Sequence, residues 1–152
     1  MKKIMFICHG NICRSPMAEF VMKDLVKKAG CERDFFIVSS ATSREEIGNN
    51  IHIGTQKKLR QMQIHFSSRQ AVQVTKKDYA IYDYLIVMDQ QNFKNLERII
   101  GKDVQNKVHL LLSFAGEERS IADPWYTGNF DRTYEDVLCG CQSLLKQLRQ
   151  LK

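Results

Sequence analysis

The feature of this sequence that most restricts its fold is a short apolar run that leads through a loop into an amphipathic helix. Residues 3–8 lack helical periodicity and the run ends before Gly10, a pattern typical of a buried parallel strand. Between residues 18 and 29 the apolar positions recur every three or four residues, which predicts a helix with one buried face. Ser15 as N-cap and Pro16 as first helical residue predict that this helix begins directly after the loop.

Strand-like and helix-like segments continue to alternate along the chain. We predict further strands at residues 35–39, 84–88 and 108–112, and helices at 55–62 and 91–100. This alternation predicts an α/β fold, a small doubly wound sheet of four parallel strands with helices on both faces. In such a sheet, ligands bind beyond the carboxyl ends of the strands.

Two Thr-x-x-Asp patterns predict where two further helices begin. Thr75 with Asp78 resembles a capping box that opens a short helix, and Thr133 with Asp136 resembles one that opens the last helix. The last helix has an apolar face whose members are four or three residues apart: Val137, Cys141, Leu144, Leu148 and Leu151.

Length and composition limit the class of protein. The 152 residues suit one hydrophobic core, so residues 1–152 are expected to form a single domain. The N-terminal apolar run is too short for a secretory signal, and no segment approaches the roughly 20 apolar residues of a membrane span. The five cysteines form no CxxC pair and the four histidines are dispersed, so we expect reduced thiols and no metal site. The expected protein is cytoplasmic, monomeric and not inserted in a membrane.

The most informative segment lies between the first strand and the first helix. There, successive backbone N–H groups can curl around an anion, and the positive end of the helix adds to the attraction. Gly10 permits the tight curvature, and Asn11 tolerates left-handed backbone angles. This positive environment favours the thiolate form of Cys8, which is the nucleophilic form of a cysteine. Arg14 can bind two oxygens of a phosphoryl group, and Ser15 can donate a hydrogen bond to the Cys8 sulfur. The segment reads Cys8-His9-Gly10-Asn11-Ile12-Cys13-Arg14-Ser15-Pro16.

Three stretches of the sequence resemble one enzyme family. CHGNICRSPMAE is similar to the signature loop of the low-molecular-weight protein tyrosine phosphatases, VTKKDYAIYDYLIVMDQQN resembles their central segment, and ADPWYTG resembles their aspartate loop. The similarity extends along nearly the whole chain. It implies a metal-independent phosphatase that hydrolyses phosphotyrosine through a phosphocysteine intermediate, without a cofactor, at a rate that peaks at mildly acidic pH.

The resemblance also implies a role for individual residues. Cys8 would be the nucleophile, Arg14 the residue that binds phosphate and stabilises the transition state, and Asp123 the general acid. Asn11, Ser15 and Ser39 would keep the loop and the thiolate in place. Trp125 and Tyr126 would form an aromatic wall of the pocket. The other members of the phosphate-binding loop would be His9, Gly10, Asn11, Ile12, Cys13 and Ser15. Under oxidation, Cys13 would form a disulfide that protects Cys8. The implied partners are tyrosine-phosphorylated proteins and a candidate cognate tyrosine kinase.

Three alternatives remain open at this point. An arsenate reductase of the same fold would need further cysteines in mid-chain, and none lies between Cys31 and Cys139. In place of the threonine expected in a protein-arginine phosphatase, this chain has Ile12, which suits an aryl ester better. The formal net charge of +6 would suit a catalytically silent module that binds phosphate or nucleic acid, but binding alone needs no nucleophile, so we expect no nucleic-acid partner. The second wall of the pocket stays undefined, because residues 40–46 depart from the family pattern.

Overall fold

A computed structural model describes residues 1–150 of the chain. In this range four parallel strands form one sheet in the order β2-β1-β3-β4. The strands are β1 (Lys2–Cys8), β2 (Phe35–Ala41), β3 (Tyr84–Val87) and β4 (Val108–Leu110). The predicted α/β sheet of four parallel strands is confirmed.

Helices cover both faces of the sheet. Successive side chains of β1 point to opposite faces of the sheet. Ile4, Phe6 and Cys8 therefore lie in one hydrophobic core, and Met5 and Ile7 lie in the other. Helices α1 and α6 pack on the first core, and α4 packs on the second. The helices are α1 (Arg14–Lys28), α2 (Ile53–Gln61), α3 (Asp78–Ile81), α4 (Gln90–Ile100), α5 (Pro124–Thr127) and α6 (Phe130–Gln150), with 3₁₀ turns at Glu32–Asp34 and Leu111–Ala115.

The predicted start of α1 is wrong by two residues. The helix begins at Arg14, Cys13 occupies the N-cap position without a side-chain cap, and Ser15 lies inside the first turn. The Ser15 hydroxyl contacts Cys8 and Asn11 instead of capping the helix. Pro16 is consequently the third helical residue rather than the first, where its missing N–H still costs no intrahelical hydrogen bond.

The last helix also begins earlier than its predicted capping box. It starts at Phe130, and the Thr133 hydroxyl bonds the Asn129 carbonyl one turn back. Asp136 instead accepts two hydrogen bonds from Arg119, at 3.1 and 2.8 Å, so it caps nothing. The apolar face of α6 is buried as predicted as far as Leu148; Leu151 lies outside the described residues.

The remaining differences are small shifts at the ends of elements. Asp78 accepts hydrogen bonds from the N–H and hydroxyl of Thr75, but α3 begins at Asp78 itself. Helix α2 begins at residue 53 rather than 55, with the His52 ring as its N-cap. Strand β4 ends at Leu110, because residues 111 and 112 belong to the 3₁₀ turn. Within residues 1–150, no helix is both long and apolar enough to cross a membrane.

Candidate active site

Residues 8–15, called here the phosphate-binding loop, turn five of their carbonyl groups outward. Every carbonyl at positions 8, 9, 11, 12 and 13 accepts a hydrogen bond from a donor outside the loop. Among residues 1–150, no acceptor is found for the backbone N–H groups of residues 9–13, so these donors are available to an anion at the loop's centre. The donors to the carbonyls are the N–H groups of Thr42, Ser43 and His52, the hydroxyl of Thr55 and the guanidinium of Arg69.

Asn11 holds the curvature of the phosphate-binding loop. Its φ of 58° is left-handed, a conformation that costs most L-residues about 1–2 kcal/mol and asparagine less. Its side-chain amide donates to the hydroxyls of Ser15 at 2.8 Å and Ser39 at 2.9 Å, and its side-chain oxygen accepts from the Val72 N–H at 3.2 Å. The Ser39 hydroxyl in turn donates to the Glu19 carboxylate at 2.5 Å. Asn11 is thus fixed by three separate segments of the chain.

Cys8 is buried at the end of β1, with its sulfur at the first turn of α1. The Sγ atom lies 3.0 Å from the Ser15 hydroxyl and 3.4 Å from the Ser15 N–H. Because the Ser15 hydroxyl already accepts a hydrogen bond from Asn11, its own proton is free for the sulfur; the alternative acceptor, the Ser40 carbonyl, is farther away at 3.4 Å. Both Ser15 contacts are ones that a thiolate can accept.

Arg14 is the largest fully buried side chain, at 2% exposure. Its Nη1 donates to Asp89 at 2.7 Å and to the Ile121 carbonyl at 2.9 Å, and its Nη2 lies 3.4 Å from Asp123. Nε has no partner among the described residues. The side of the guanidinium that carries Nε and Nη2 is therefore the one available for two phosphoryl oxygens. Burial lowers the pKa of Arg14, but Cys8, Asp89 and Asp123 outweigh it and raise the pKa overall, which keeps the group charged.

A pocket of about 110 Å³ opens above the phosphate-binding loop. Ile12 and Cys13 line it beside Cys8, and Trp125 and Tyr126 flank it on the exposed side. Glu45 and Glu46 also line this pocket, and the Glu45 carboxylate contacts the His9 ring at 2.9 Å. These two glutamates belong to the wall that the sequence left undefined.

Asp123 reaches the same pocket from the segment that follows β4. One carboxylate oxygen accepts the Trp125 N–H at 3.0 Å, as N-cap of α5, and the other faces Arg14. Asp-Pro therefore starts a turn and also delivers a carboxyl group to the pocket that holds Cys8.

Cys13 is a buried free thiol that lines the pocket. Burial, followed by the nearby charges of Cys8 and Asp123, raises the pKa of Cys13 to about 12. Cys13 therefore stays protonated at neutral pH.

Several residues that build the site were missed by sequence reasoning. Asp89 directly follows the strand predicted at residues 84–88 and was given no role, although the carboxyl end of β3 is where ligand-binding residues collect in such sheets. No sequence motif pointed to Glu19 or Arg69, because their partners in the site, Ser39 and Asn11, lie 20 and 58 positions away along the chain. No group of three or more His, Cys, Asp or Glu residues in the described part of the chain is placed to hold a metal ion.

Comparisons with known proteins give a consistent result. The family model for the low molecular weight phosphotyrosine protein phosphatases matches residues 3–152. The low molecular weight protein-tyrosine-phosphatase YfkJ of Bacillus subtilis is 36% identical over 154 residues, which cover 100% of this chain and 99% of that protein. The crystal structure of YfkJ is similar with a TM-score of 0.96 over 100% of this chain and 97% of its own.

Two further solved structures have lower TM-scores. A low molecular weight protein tyrosine phosphatase from Streptococcus pyogenes is 44% identical, with a TM-score of 0.88 over 97% of this chain and 93% of its own. The Drosophila arginine phosphatase DARP is 27% identical, with a TM-score of 0.87 over 97% of this chain and 98% of its own.

Proposed function

Because the chain belongs to the low molecular weight phosphotyrosine protein phosphatase family, we propose that it hydrolyses phosphotyrosine with Cys8 as nucleophile, Arg14 as phosphate clamp and Asp123 as general acid. The observation that carries these assignments is the loop in which five carbonyls accept hydrogen bonds from outside, around a buried sulfur and a buried guanidinium. A set of fixed donors of this kind stabilises charge without reorganising during the reaction.

In the first step the Cys8 thiolate attacks phosphorus in line with the tyrosine oxygen. A sulfur–phosphorus bond forms as the phosphorus–oxygen bond breaks. The loop N–H groups and the Nε and Nη2 side of Arg14 bind the three equatorial oxygens, which carry most of the charge in a loose transition state. Asp123 gives its proton to the departing phenolate, whose conjugate acid has a pKa near 10.

In the second step water hydrolyses the phosphocysteine. Asp123, now a carboxylate, takes a proton from the attacking water, and the sulfur leaves as a thiolate that can again accept the Ser15 hydrogen bond. The first step needs Asp123 protonated and Cys8 ionised, so kcat/KM is expected to peak at mildly acidic pH.

The pocket supports an aryl phosphate as substrate. Apolar Ile12 lies beside Cys8, and Trp125 and Tyr126 can contact the flat faces of a phenyl ring. The Ile12 side chain offers no hydrogen-bonding group to a guanidino substrate, which favours phosphotyrosine over phosphoarginine. Tyrosine-phosphorylated proteins are the expected substrates; a cognate kinase, a monomeric state and a cytoplasmic location stay predictions.

Acid quenching during turnover tests the assignment directly. Wild-type protein mixed with p-nitrophenyl phosphate should carry a phosphoryl group on Cys8, detected by mass spectrometry of the digested protein. Turnover without any adduct on Cys8 would contradict the mechanism.

Asp123→Asn tests the general acid separately. Its kcat/KM for phenyl phosphate should fall by about 10²–10³-fold, because kcat/KM reports the first step, in which the poor leaving group needs a proton. The loss should be smaller for p-nitrophenyl phosphate, whose phenolate leaves unaided more easily. Equal losses on the two substrates would remove Asp123 from this role. Asp131→Asn, an exposed acid on α6, is the matched control.

A further inference from the structure

Arg69 makes a contact with the phosphate-binding loop that neither the sequence pattern nor the proposed mechanism uses. It lies in the segment between α2 and α3, and its Nη2 donates to the backbone carbonyl of Asn11. Asn11 is the loop residue with the left-handed backbone. Turning its carbonyl outward keeps the neighbouring N–H groups directed to the centre of the loop.

The segment that carries Arg69 is itself anchored to the loop that bears the pocket's acidic wall. The Arg69 N–H donates to the Asn50 side chain at 3.1 Å, and its Nη1 donates to the Asn49 carbonyl at 3.4 Å. Backbone hydrogen bonds from Ala71 to Asn49 at 2.7 Å and from Gly48 to Ala71 at 2.9 Å run beside these contacts. One side chain thus ties the phosphate-binding loop to the segment at residues 48–50.

The charge of Arg69 also acts on the site. The guanidinium is partly buried, and burial lowers its pKa while the charges of Glu19 and Cys8 oppose that shift. An arginine remains protonated at neutral pH in such a setting. Because the charges of Arg69 and Cys8 interact, Arg69 is a second cation, in addition to Arg14, that acts on the nucleophile.

We propose that Arg69 is a positioning residue: it holds the Asn11 carbonyl outward, and so keeps the loop N–H groups aimed at the phosphoryl group and the Ser15 hydroxyl aimed at the Cys8 sulfur. This inference rests on the proposed function, since it assumes that the loop binds a phosphoryl group. Arg69 itself does not touch the substrate.

The test compares Arg69→Gln with Arg69→Lys. Glutamine is too short to reach both carbonyls and is uncharged, so the affinity for inorganic phosphate and the kcat on p-nitrophenyl phosphate should each fall about tenfold. Lysine keeps the charge and one donor to Asn11, so both quantities should recover to within about threefold of the wild type. If Arg69→Gln prevents folding, Arg69→Met, which retains the apolar stem of the side chain, replaces it in the comparison with Arg69→Lys. Arg98→Gln, on the exposed face of α4, is the control for removing a positive charge.

Phosphate affinity is measured by calorimetry and needs no turnover, so the two hypotheses can fail separately. A wild-type protein that neither binds phosphate nor hydrolyses the aryl ester would refute the proposed function. If the wild type does both and the Arg69→Gln protein matches it, only the positioning role is refuted. A lysine variant as impaired as the glutamine variant would also refute it, because the charge and the Asn11 contact would then not account for the loss.

Discussion

The two sides of the pocket are held in place to different degrees. Asn11 and Ser15 in the phosphate-binding loop are 1% and 0% exposed, and each has several hydrogen-bond partners. On the other side, Trp125 and Tyr126 are 56% and 82% exposed, on a single helical turn capped by Asp123. One side is a buried framework, and the other is an accessible rim.

The difference follows from what each side contributes to the proposed reaction. Donors that stabilise the transition state act best when they are already in position, because moving them during the reaction costs free energy. A surface that meets many tyrosine-phosphorylated proteins needs accessible apolar area and tolerates small changes in side-chain position. The comparison predicts that substitutions in the framework lower kcat, whereas substitutions in the rim raise KM.

The largest effect is expected for Cys8→Ser. A serine hydroxyl in the same place is a far weaker nucleophile, so kcat on p-nitrophenyl phosphate should fall by at least about 10³-fold, within the range seen when other enzymes lose their nucleophile. Initial rates at saturating substrate measure this. Cys139→Ser, at an exposed free cysteine, is the matched control and should keep the wild-type rate. Substantial activity in the Cys8 variant would place the chemistry elsewhere.

A smaller effect in the framework is expected for Ser15→Ala. The alanine removes the donor to the Cys8 sulfur and one acceptor of Asn11, and hydrogen bonds to charged groups contribute about 1.5–3 kcal/mol. The corresponding loss in kcat is about 10–100-fold, with little change in KM. Ser113→Ala, whose exposed hydroxyl bonds the Leu110 carbonyl, controls for the loss of a serine hydroxyl. An increase in KM alone would show that Ser15 acts in binding rather than in the chemical step.

The smallest effect is expected at the rim. Trp125→Ala should raise KM for aryl phosphates about three- to tenfold and leave kcat nearly unchanged, because an exposed aromatic contact contributes about 0.5–1.5 kcal/mol. Trp125→Phe retains an aromatic face and should restore most of the affinity. If kcat falls more than KM rises, the Trp125 side chain also positions Asp123, and the framework then extends into α5. The backbone N–H of residue 125, which the Asp123 carboxylate accepts, is retained in both variants.

Ser15 illustrates what a local pattern can and cannot predict. Its place after a loop and before proline indicated an N-cap, but the structure uses its hydroxyl for Cys8 and Asn11. The Thr133–Asp136 pattern failed for a similar reason, because Arg119, 17 residues away, binds the aspartate. In both cases another contact outweighs the local capping preference: for Ser15 it lies within the phosphate-binding loop, and for Asp136 it comes from Arg119.

The sequence by itself determined the alternation of strands and helices, the parallel sheet and the place of the anion-binding loop. These depend on apolar periodicity and on glycine, asparagine and helix-start residues that act on their immediate neighbours. The same local information identified Cys8 and Arg14 as candidates for chemistry, and the resemblance to the family added Asp123.

Only the tertiary structure decided how that loop is held open. The donors to its outward carbonyls come from three separate segments, at residues 42–43, 52–55 and 69. Asp89, at the carboxyl end of β3, fixes the Arg14 guanidinium. The physical reason is that hydrogen bonds between residues far apart in the chain depend on where packing places each segment. Such contacts leave no periodic pattern in the sequence.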